Sequence, residues 1–163
     1  MVRCFQYPHS TSHYSIEHPS EPLYSLPLTN SDMNPEERLR LAERLLREAE
    51  ELRDRCARTG DLMACVQAGE KAWGALFQAL RAIKPDLRSG EVFDFVDHEL
   101  PSMPGVPEDV VSALDRAAEG ALTLHSYCFY GARVKVCLRR DRYERIREAI
   151  RAIRRWLRRT KAP

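Results

Sequence analysis

Arginines that could bind phosphate recur along the last thirty residues of the chain. A helix is predicted over residues 139–159, and one side of it carries arginine at regular steps. The planar guanidinium fork fits phosphate oxygens, so this face predicts salt-dependent binding to nucleic acid without sequence preference. The alternative is a solvated face, or one that pairs with acids of the same or a second subunit. The candidate phosphate-binding residues are Arg147, Arg151, Arg154, Arg155 and Arg158.

The charges of the chain are divided unevenly between its segments. The formal net charge is +2 overall, but residues 133–163 contain thirteen basic and three acidic residues, which gives +10. Residues 34–132 contain twelve basic and eighteen acidic residues, which gives −6. The C-terminal helix is therefore a cationic element on an acidic body.

Histidines are the other residues that could take part in catalysis or metal binding. His125 continues the apolar face of a predicted helix beside Tyr127 and Tyr130. It is either a site residue or a partly buried ring that hydrogen-bonds a neighbour. His98 lies four residues after Asp94, a spacing that could share a metal, but no second His is nearby and we predict no metal site. No phosphate loop, zinc-protease motif or nucleophile elbow occurs, so no cofactor is expected.

The helix that must position these residues is the stretch Asp61–Ile83. Apolar residues recur there at steps of three and four, and most of the remaining surface is Ala or Gly. Trp73, Leu76 and Phe77 lie near its middle. A helix that is apolar or small over most of its circumference needs neighbours on several sides. We therefore expect a central helix with the Trp73 indole enclosed.

The other elements are also predicted to be helical. A helix from Pro35 to Arg58 is capped by Asn34 and ends at Gly60, and a tight turn joins it to the central helix as an antiparallel hairpin. Its outer face is expected to form the i,i+4 pairs Glu36/Arg40, Glu43/Arg47 and Glu51/Arg55. A short helix is predicted from Glu91 to Leu100. A longer one begins at Pro107 and frays over Tyr127–Ala132.

These segments predict an all-α fold, an antiparallel four-helix bundle with one extra short helix, over residues 33–159. Residues 1–32 contain four prolines and no regular period, so we expect an extended or disordered tail. Translation starting at Met33 is a plausible hypothesis. Residues 160–163 form a second tail.

Cysteine use and hydropathy indicate an intracellular protein. The chain has five cysteines without dense spacing, and neither a signal peptide nor a membrane span is visible. We predict a cytoplasmic location without membrane contact.

Buried free thiols are the default, but Cys56/Cys65 and Cys128/Cys137 could each bridge two helices. Scarce Asn and Gln with many charged residues suggest a thermophilic source.

Two segments together resemble a known superfamily. GDLMACVQAGEKAWGALFQALRAI, from Gly60, resembles the signature helix of the HEPN domains, and LHSYCFYGA, from Leu124, resembles a later segment of their archaeal PaREP-like branch. The resemblance covers residues 35–157. It implies a helical bundle that commonly dimerises. Members of the superfamily include toxin RNases and non-catalytic partners of small nucleotidyltransferases.

The chain departs from the RNase motif of that superfamily, in which His follows Arg after four to six residues. Arg116 and His125 are separated by eight residues, which places them on opposite faces of a helix. We therefore favour a non-catalytic, self-associating bundle that binds a partner protein, such as a nucleotidyltransferase, or nucleotide or RNA phosphates. The alternatives are a divergent RNase that uses His125 with Arg116 or Arg133, and a purely structural dimerisation module.

Overall fold

The structure, a computed structural model, describes residues 33–160, and every regular element in that range is a helix. The all-α prediction is confirmed for this part of the chain. The α-helices in chain order are α1 (Pro35–Thr59), α2 (Leu62–Arg81), α3 (Val92–Asp94), α4 (Leu100–Ser102), α5 (Glu108–Thr123), α6 (Val134–Cys137) and α7 (Arg140–Thr160). The predicted N-terminal tail, the hypothesis of a start at Met33 and residues 161–163 lie outside the described residues, whereas Thr160 belongs to α7 rather than to a tail.

The hairpin of α1 and α2 has the predicted caps. The Asn34 side chain accepts a hydrogen bond from the Glu37 backbone N–H at 3.0 Å, and the Asn34 N–H donates to the Glu37 carboxylate at 2.8 Å. Gly60 ends α1 with a φ of 71°, a left-handed conformation that costs glycine little. Asp61 then accepts from the Ala64 N–H at 3.1 Å and caps α2. These caps satisfy backbone groups that the helix ends would otherwise leave unpaired.

The prediction of ion pairs along the outer face of α1 is wrong. Among the ion pairs of residues 33–160, none joins α1 residues at the predicted i,i+4 steps. Glu36 and Glu43 instead contact Arg154 of α7, and Arg55 pairs with Asp61 at 2.8 Å. The prediction failed because it considered α1 alone, whereas Arg154 of α7 contacts Glu36 and Glu43, and the N-cap residue of α2, Asp61, pairs with Arg55.

Helix α2 is enclosed as predicted. It contacts α1, α5, α6 and α7, and Trp73 is only 9% exposed. Its small residues allow this close packing, since Ala68, Ala72, Ala75 and Ala79 are fully buried. The core continues on the inward face of α7, which buries Tyr143, Ile146, Ile150 and Ile153.

Two π-helices interrupt the predicted pattern. The first, π1 (Phe95–Glu99), joins α3 to α4, and a 3₁₀ turn at Ser89–Glu91 precedes α3. The sequence predicted one regular short helix here, preceded by a loop. The second, π2 (Leu124–Tyr130), continues α5 where fraying was predicted. The hydrogen bonds of a π-helix join residues five apart, so each turn contains about one residue more than a turn of α-helix. The side chains that follow therefore point in different directions.

Gly69 allows π2 to lie directly against α2. A Cβ atom at residue 69 would lie 2.7 Å from the Leu124 carbonyl oxygen and 2.9 Å from the Cys128 Cβ. Both distances are too short for a methyl group, and the carbonyl belongs to the backbone. A glycine is therefore required for this contact between α2 and π2.

Two disulfides lie in the part of the core next to this contact. Cys56 and Cys65 join α1 to α2, and Cys128 and Cys137 join π2 to α6, with Cα–Cα distances of 5.3 and 5.2 Å. The default expectation of free thiols is thus wrong for these four residues, and the alternative pairings are the ones observed. The two pairs belong to one buried cluster, and the Cys128 Sγ lies 2.8 Å from the Cys65 carbonyl oxygen.

Among residues 33–160, every helix is too short or too polar to cross a lipid bilayer.

The Gly69→Ala substitution tests the contact between α2 and π2. We expect it to lower the free energy of unfolding by about 1–3 kcal/mol, because the added methyl group overlaps the backbone of π2. Gly74→Ala is the matched control on the same helix, since its Cβ would meet only the Leu45 side chain at an ordinary 3.6 Å. Alanine also favours helix by up to about 1 kcal/mol over glycine, so urea unfolding should show the control unchanged or stabilised. Equal effects of the two variants would refute the close approach.

Candidate nucleic-acid interface

The cationic helix α7 lies antiparallel to α1, and two ion pairs set their register. Arg147 contacts Glu50, and Arg154 contacts Glu43. From the first contact to the second, the residue number rises by seven on α7 and falls by seven on α1. This is the pattern expected of antiparallel neighbours. We call these two contacts the α1–α7 ladder. Each arginine also has a second acid, since Arg147 contacts Glu144 and the Arg154 Nε lies 3.5 Å from Glu36.

The spacing of charges in the sequence explains the ladder. Glu36, Glu43 and Glu50 recur every seven residues on α1, as Arg147 and Arg154 do on α7. Seven residues make nearly two helical turns, so each set lies along one line of its helix. The buried residues of α7 bring its arginine line to the acidic line of α1.

Partial burial strengthens the ladder. The side chains of Arg147 and Arg154 are 30% and 19% exposed, so water screens these contacts less than it screens fully exposed charges. Burial acts to lower the pKa of Arg147, but its hydrogen bonds and charge interactions with Glu50 and Glu144 outweigh burial and raise that pKa. Arg147 therefore stays charged and bound to its acids.

The five predicted phosphate-binding arginines fall into two groups. Arg147 and Arg154 have acidic partners within the chain, as one alternative interpretation of the sequence anticipated. Arg151, Arg155 and Arg158 are exposed and take part in no ion pair among the described residues. Arg151 and Arg158 repeat the seven-residue spacing of the ladder but are offset from it by four residues. The structure thus leaves three of the five arginines open to an external anion.

A groove follows the ladder between the two helices. Its volume is about 430 Å³, and its lining residues are Glu43, Leu46, Arg47, Glu50, Arg147, Ile150 and Arg151. Leu46 and Ile150 are 3% and 1% exposed, so these two apolar side chains lie almost fully buried beneath the groove. Arg47 is exposed on the α1 side and, like Arg151, lacks an ion pair within the described part of the chain.

The ladder is connected to the core through Arg53 and Tyr143. The Arg53 guanidinium lies 3.8 Å from Glu50 and 5.0 Å from the centre of the Tyr143 ring. The Tyr143 hydroxyl donates a hydrogen bond to the Cys137 carbonyl at 2.8 Å. Burial raises the pKa of Tyr143, so its hydroxyl remains a neutral donor. The disulfide region and the ladder are therefore linked by direct contacts.

His125 lies in a second, separate site between α2 and π2. Its ring is stacked between Trp73 and Phe129, with ring centres 5.2 and 5.4 Å apart, and Tyr130 meets it edge-on at 5.0 Å. The Nδ1 atom lies 3.0 Å from the Glu70 carboxylate, an ion-pair contact without hydrogen-bond geometry. Nε2 has no hydrogen-bond partner among the described residues, and the side chain as a whole is 20% exposed.

The arginines predicted to assist His125 do not contact it. Arg116 is exposed on α5, and Arg133 lies 5.1 Å from the Tyr127 ring centre. The structure brings Glu70 and Phe129 to His125 instead, and sequence reasoning missed both. Their signal is the helical spacing: Glu70 precedes Trp73 by three residues, and Phe129 follows His125 by four. Within residues 33–160, no group of three or more potential metal ligands occurs, and His98 is exposed.

Replacing Arg154 or Arg155 by alanine tests the division of the arginine face. Arg154→Ala should lower the free energy of unfolding by about 1–2 kcal/mol, because it removes the contacts to Glu43 and Glu36. Arg155→Ala, one residue away and exposed, should change it by no more than about 0.5 kcal/mol. Thermal unfolding at low and high salt should show the Arg154 effect shrinking as salt rises. A larger loss for Arg155→Ala would contradict the assignment of partners.

Comparison with known proteins provides no relative for this arrangement. No protein-family model matches the chain, and neither a curated protein nor a solved structure matches it. The resemblance to the HEPN superfamily therefore stays a prediction that rests on the two sequence segments.

Proposed function

We propose that the protein is a non-catalytic antiparallel four-helix bundle of the HEPN kind that self-associates and binds the phosphate backbone of RNA through α7. The observation that carries this proposal is the division of the arginine face. Arg151, Arg155 and Arg158 are exposed and have no acidic partner within residues 33–160, although carboxylates of α1 pair with their neighbours. Surface arginines that a chain does not neutralise are available to an external polyanion.

The proposed binding is electrostatic and independent of sequence. The three arginines span seven residues, a rise of about 10 Å, which is enough to contact two or three phosphates of one strand. Each contact releases a counterion, so the affinity must fall steeply as salt is added. The arginine fork favours phosphate over a single carboxylate because it donates two parallel hydrogen bonds. Such a surface would add avidity if two copies of the chain presented it together.

A titration of single-stranded RNA at low salt tests this proposal. Arg155→Glu/Arg158→Glu should weaken binding by about tenfold or more and reduce the salt slope by about 1.4, because two phosphate contacts are lost. The control is Arg88→Glu/Lys135→Glu, which makes the same change in net charge at two exposed residues away from α7. Fluorescence anisotropy of a labelled oligonucleotide measures both.

Equal binding by the α7 variant and the parent would reject α7 as the interface. Equal weakening by both double variants would show that only net charge matters. Sedimentation with and without RNA identifies the purely structural alternative, since a dimerisation module sediments identically in both samples. Sedimentation with a candidate nucleotidyltransferase tests for a protein partner, since the protein sediments faster with the enzyme than alone only if the two bind.

The His125 site favours a second candidate function, a divergent RNase. The Glu70 carboxylate lies 3.0 Å from Nδ1, two aromatic rings stack on the imidazole, and the side chain is 20% exposed. A histidine beside a carboxylate is suited to general base catalysis once the two are aligned for a hydrogen bond. In RNA it would accept the proton of a 2′-hydroxyl as that oxygen attacks the adjacent phosphorus. The bond to the 5′ oxygen would then break, and that oxygen would take a proton from water.

Incubation of RNA with the purified protein tests this candidate. If His125 is the base, His125→Ala should reduce cleavage by about 100-fold or more, and Glu70→Gln should reduce it less. His98→Ala is the control, because His98 is exposed and lies in π1. RNA left intact by the parent protein, or cleaved equally by His125→Ala, would eliminate the RNase.

A further inference from the structure

We propose that Arg47 and Arg151 form a two-sided clamp for one phosphate group in the groove between α1 and α7. This inference rests on the proposed function, because it assigns the tightest phosphate contact of that surface. It also goes further, since it adds a residue of α1 and defines a site large enough for a nucleotide. The ligand class is a phosphate monoester or diester.

The ladder places the two arginines opposite each other. The groove is lined by Arg147 and Glu50, which contact each other, and by Glu43, which contacts Arg154. Arg47 lies between the two glutamates on α1, and Arg151 lies between the two ladder arginines on α7. Both line the same groove. A ligand in the groove would therefore meet one guanidinium from each helix.

The charge balance of the groove favours an anion. Glu50 is paired with Arg147, and Glu43 is paired with Arg154. Within the described chain neither Arg47 nor Arg151 forms an ion pair, and the carboxylate whose charge acts on Arg47, that of Glu48, is hydrogen-bonded to Lys71 at 2.6 Å. Two guanidinium groups on facing walls repel each other, and an anion between them replaces that repulsion with two attractions. The glutamates do not fill this role because the ladder already holds them.

The groove also has a shape that suits a phosphate ester. Its volume of about 430 Å³ lies within the range of small-molecule sites. Leu46 and Ile150 beneath it are almost fully buried, so apolar protein lies on one side of the two arginines and lowers the local dielectric there. Two guanidinium groups on facing walls can give charge-assisted hydrogen bonds to a phosphate group and would repel a bare metal ion.

Phosphate titrations of single-arginine variants test the clamp. Inorganic pyrophosphate, adenosine monophosphate and a single-stranded RNA oligonucleotide are added separately, with binding followed by side-chain NMR of the arginines. Arg47→Ala and Arg151→Ala should each weaken all three ligands by about tenfold. The matched controls are Arg44→Ala on α1 and Arg159→Ala on α7, both exposed arginines that do not line the groove. Against pyrophosphate and the mononucleotide these controls should bind like the parent.

The three ligands separate the possible sources of phosphate. Saturable binding of the mononucleotide indicates a free nucleotide, whereas binding of only the oligonucleotide indicates an RNA backbone phosphate. Either result supports the clamp if Arg47→Ala weakens that binding by about tenfold. The clamp is wrong if Arg47→Ala binds every ligand as tightly as Arg44→Ala does. If RNA binding then still depends on Arg155 and Arg158, the proposed function stands without the clamp. If RNA binding is also insensitive to those residues, both proposals fail.

Discussion

The ion-pair ladder between α1 and α7 is the interaction on which the functional account depends. It consists of partly buried contacts between Glu43 and Arg154 and between Glu50 and Arg147. Ion pairs on a protein surface add little stability singly, but here they repeat at the spacing of two helical turns and set one register. The same contacts decide which cations are neutralised. The α1 acids that contact α7 are Glu36, Glu43 and Glu50, which recur every seventh residue, so the arginines between the ladder positions have no acidic partner in the described part of the chain.

A second constraint operates in the disulfide region. Gly69 lets π2 lie against α2, and this contact brings His125 to Trp73 and Glu70. The disulfides beside it join α1 to α2 and π2 to α6, so they tie both the ladder helix and the histidine segment to the core. Closing loops of this size stabilises a fold by about 2–3 kcal/mol each in the chain-entropy view. The hydrogen bond from Tyr143 to Cys137 connects this region to α7.

Much of this fold could be predicted from the sequence because its helices have strong local signals. Apolar spacing, the Asn34 cap and the Gly60 turn predict α1 and α2 within about two residues, the usual uncertainty of helix ends. The π-helix at Leu124–Tyr130 could not be predicted, since it depends on packing against Gly69 in another helix. The pairing of Glu43 with Arg154 was also missed. The sequence rule for ion pairs considers residues three or four apart on one helix, whereas packing of α7 against α1 brings the partly buried Arg154 to Glu43. Similarly, the arginine face was visible in the sequence, but which arginines are free depends on the α1–α7 register.

Side-chain NMR of the arginines during an RNA titration tests the central claim most directly, because it observes paired and free guanidinium groups in one experiment. The account predicts slow solvent exchange at the Nε–H of Arg147 and Arg154, with little change on adding RNA. It predicts that Arg151, Arg155 and Arg158 exchange rapidly alone and shift progressively as RNA is added. If instead Arg147 and Arg154 shift first, or if all five arginines exchange equally fast in the free protein, the ladder does not select the binding residues and the account is wrong.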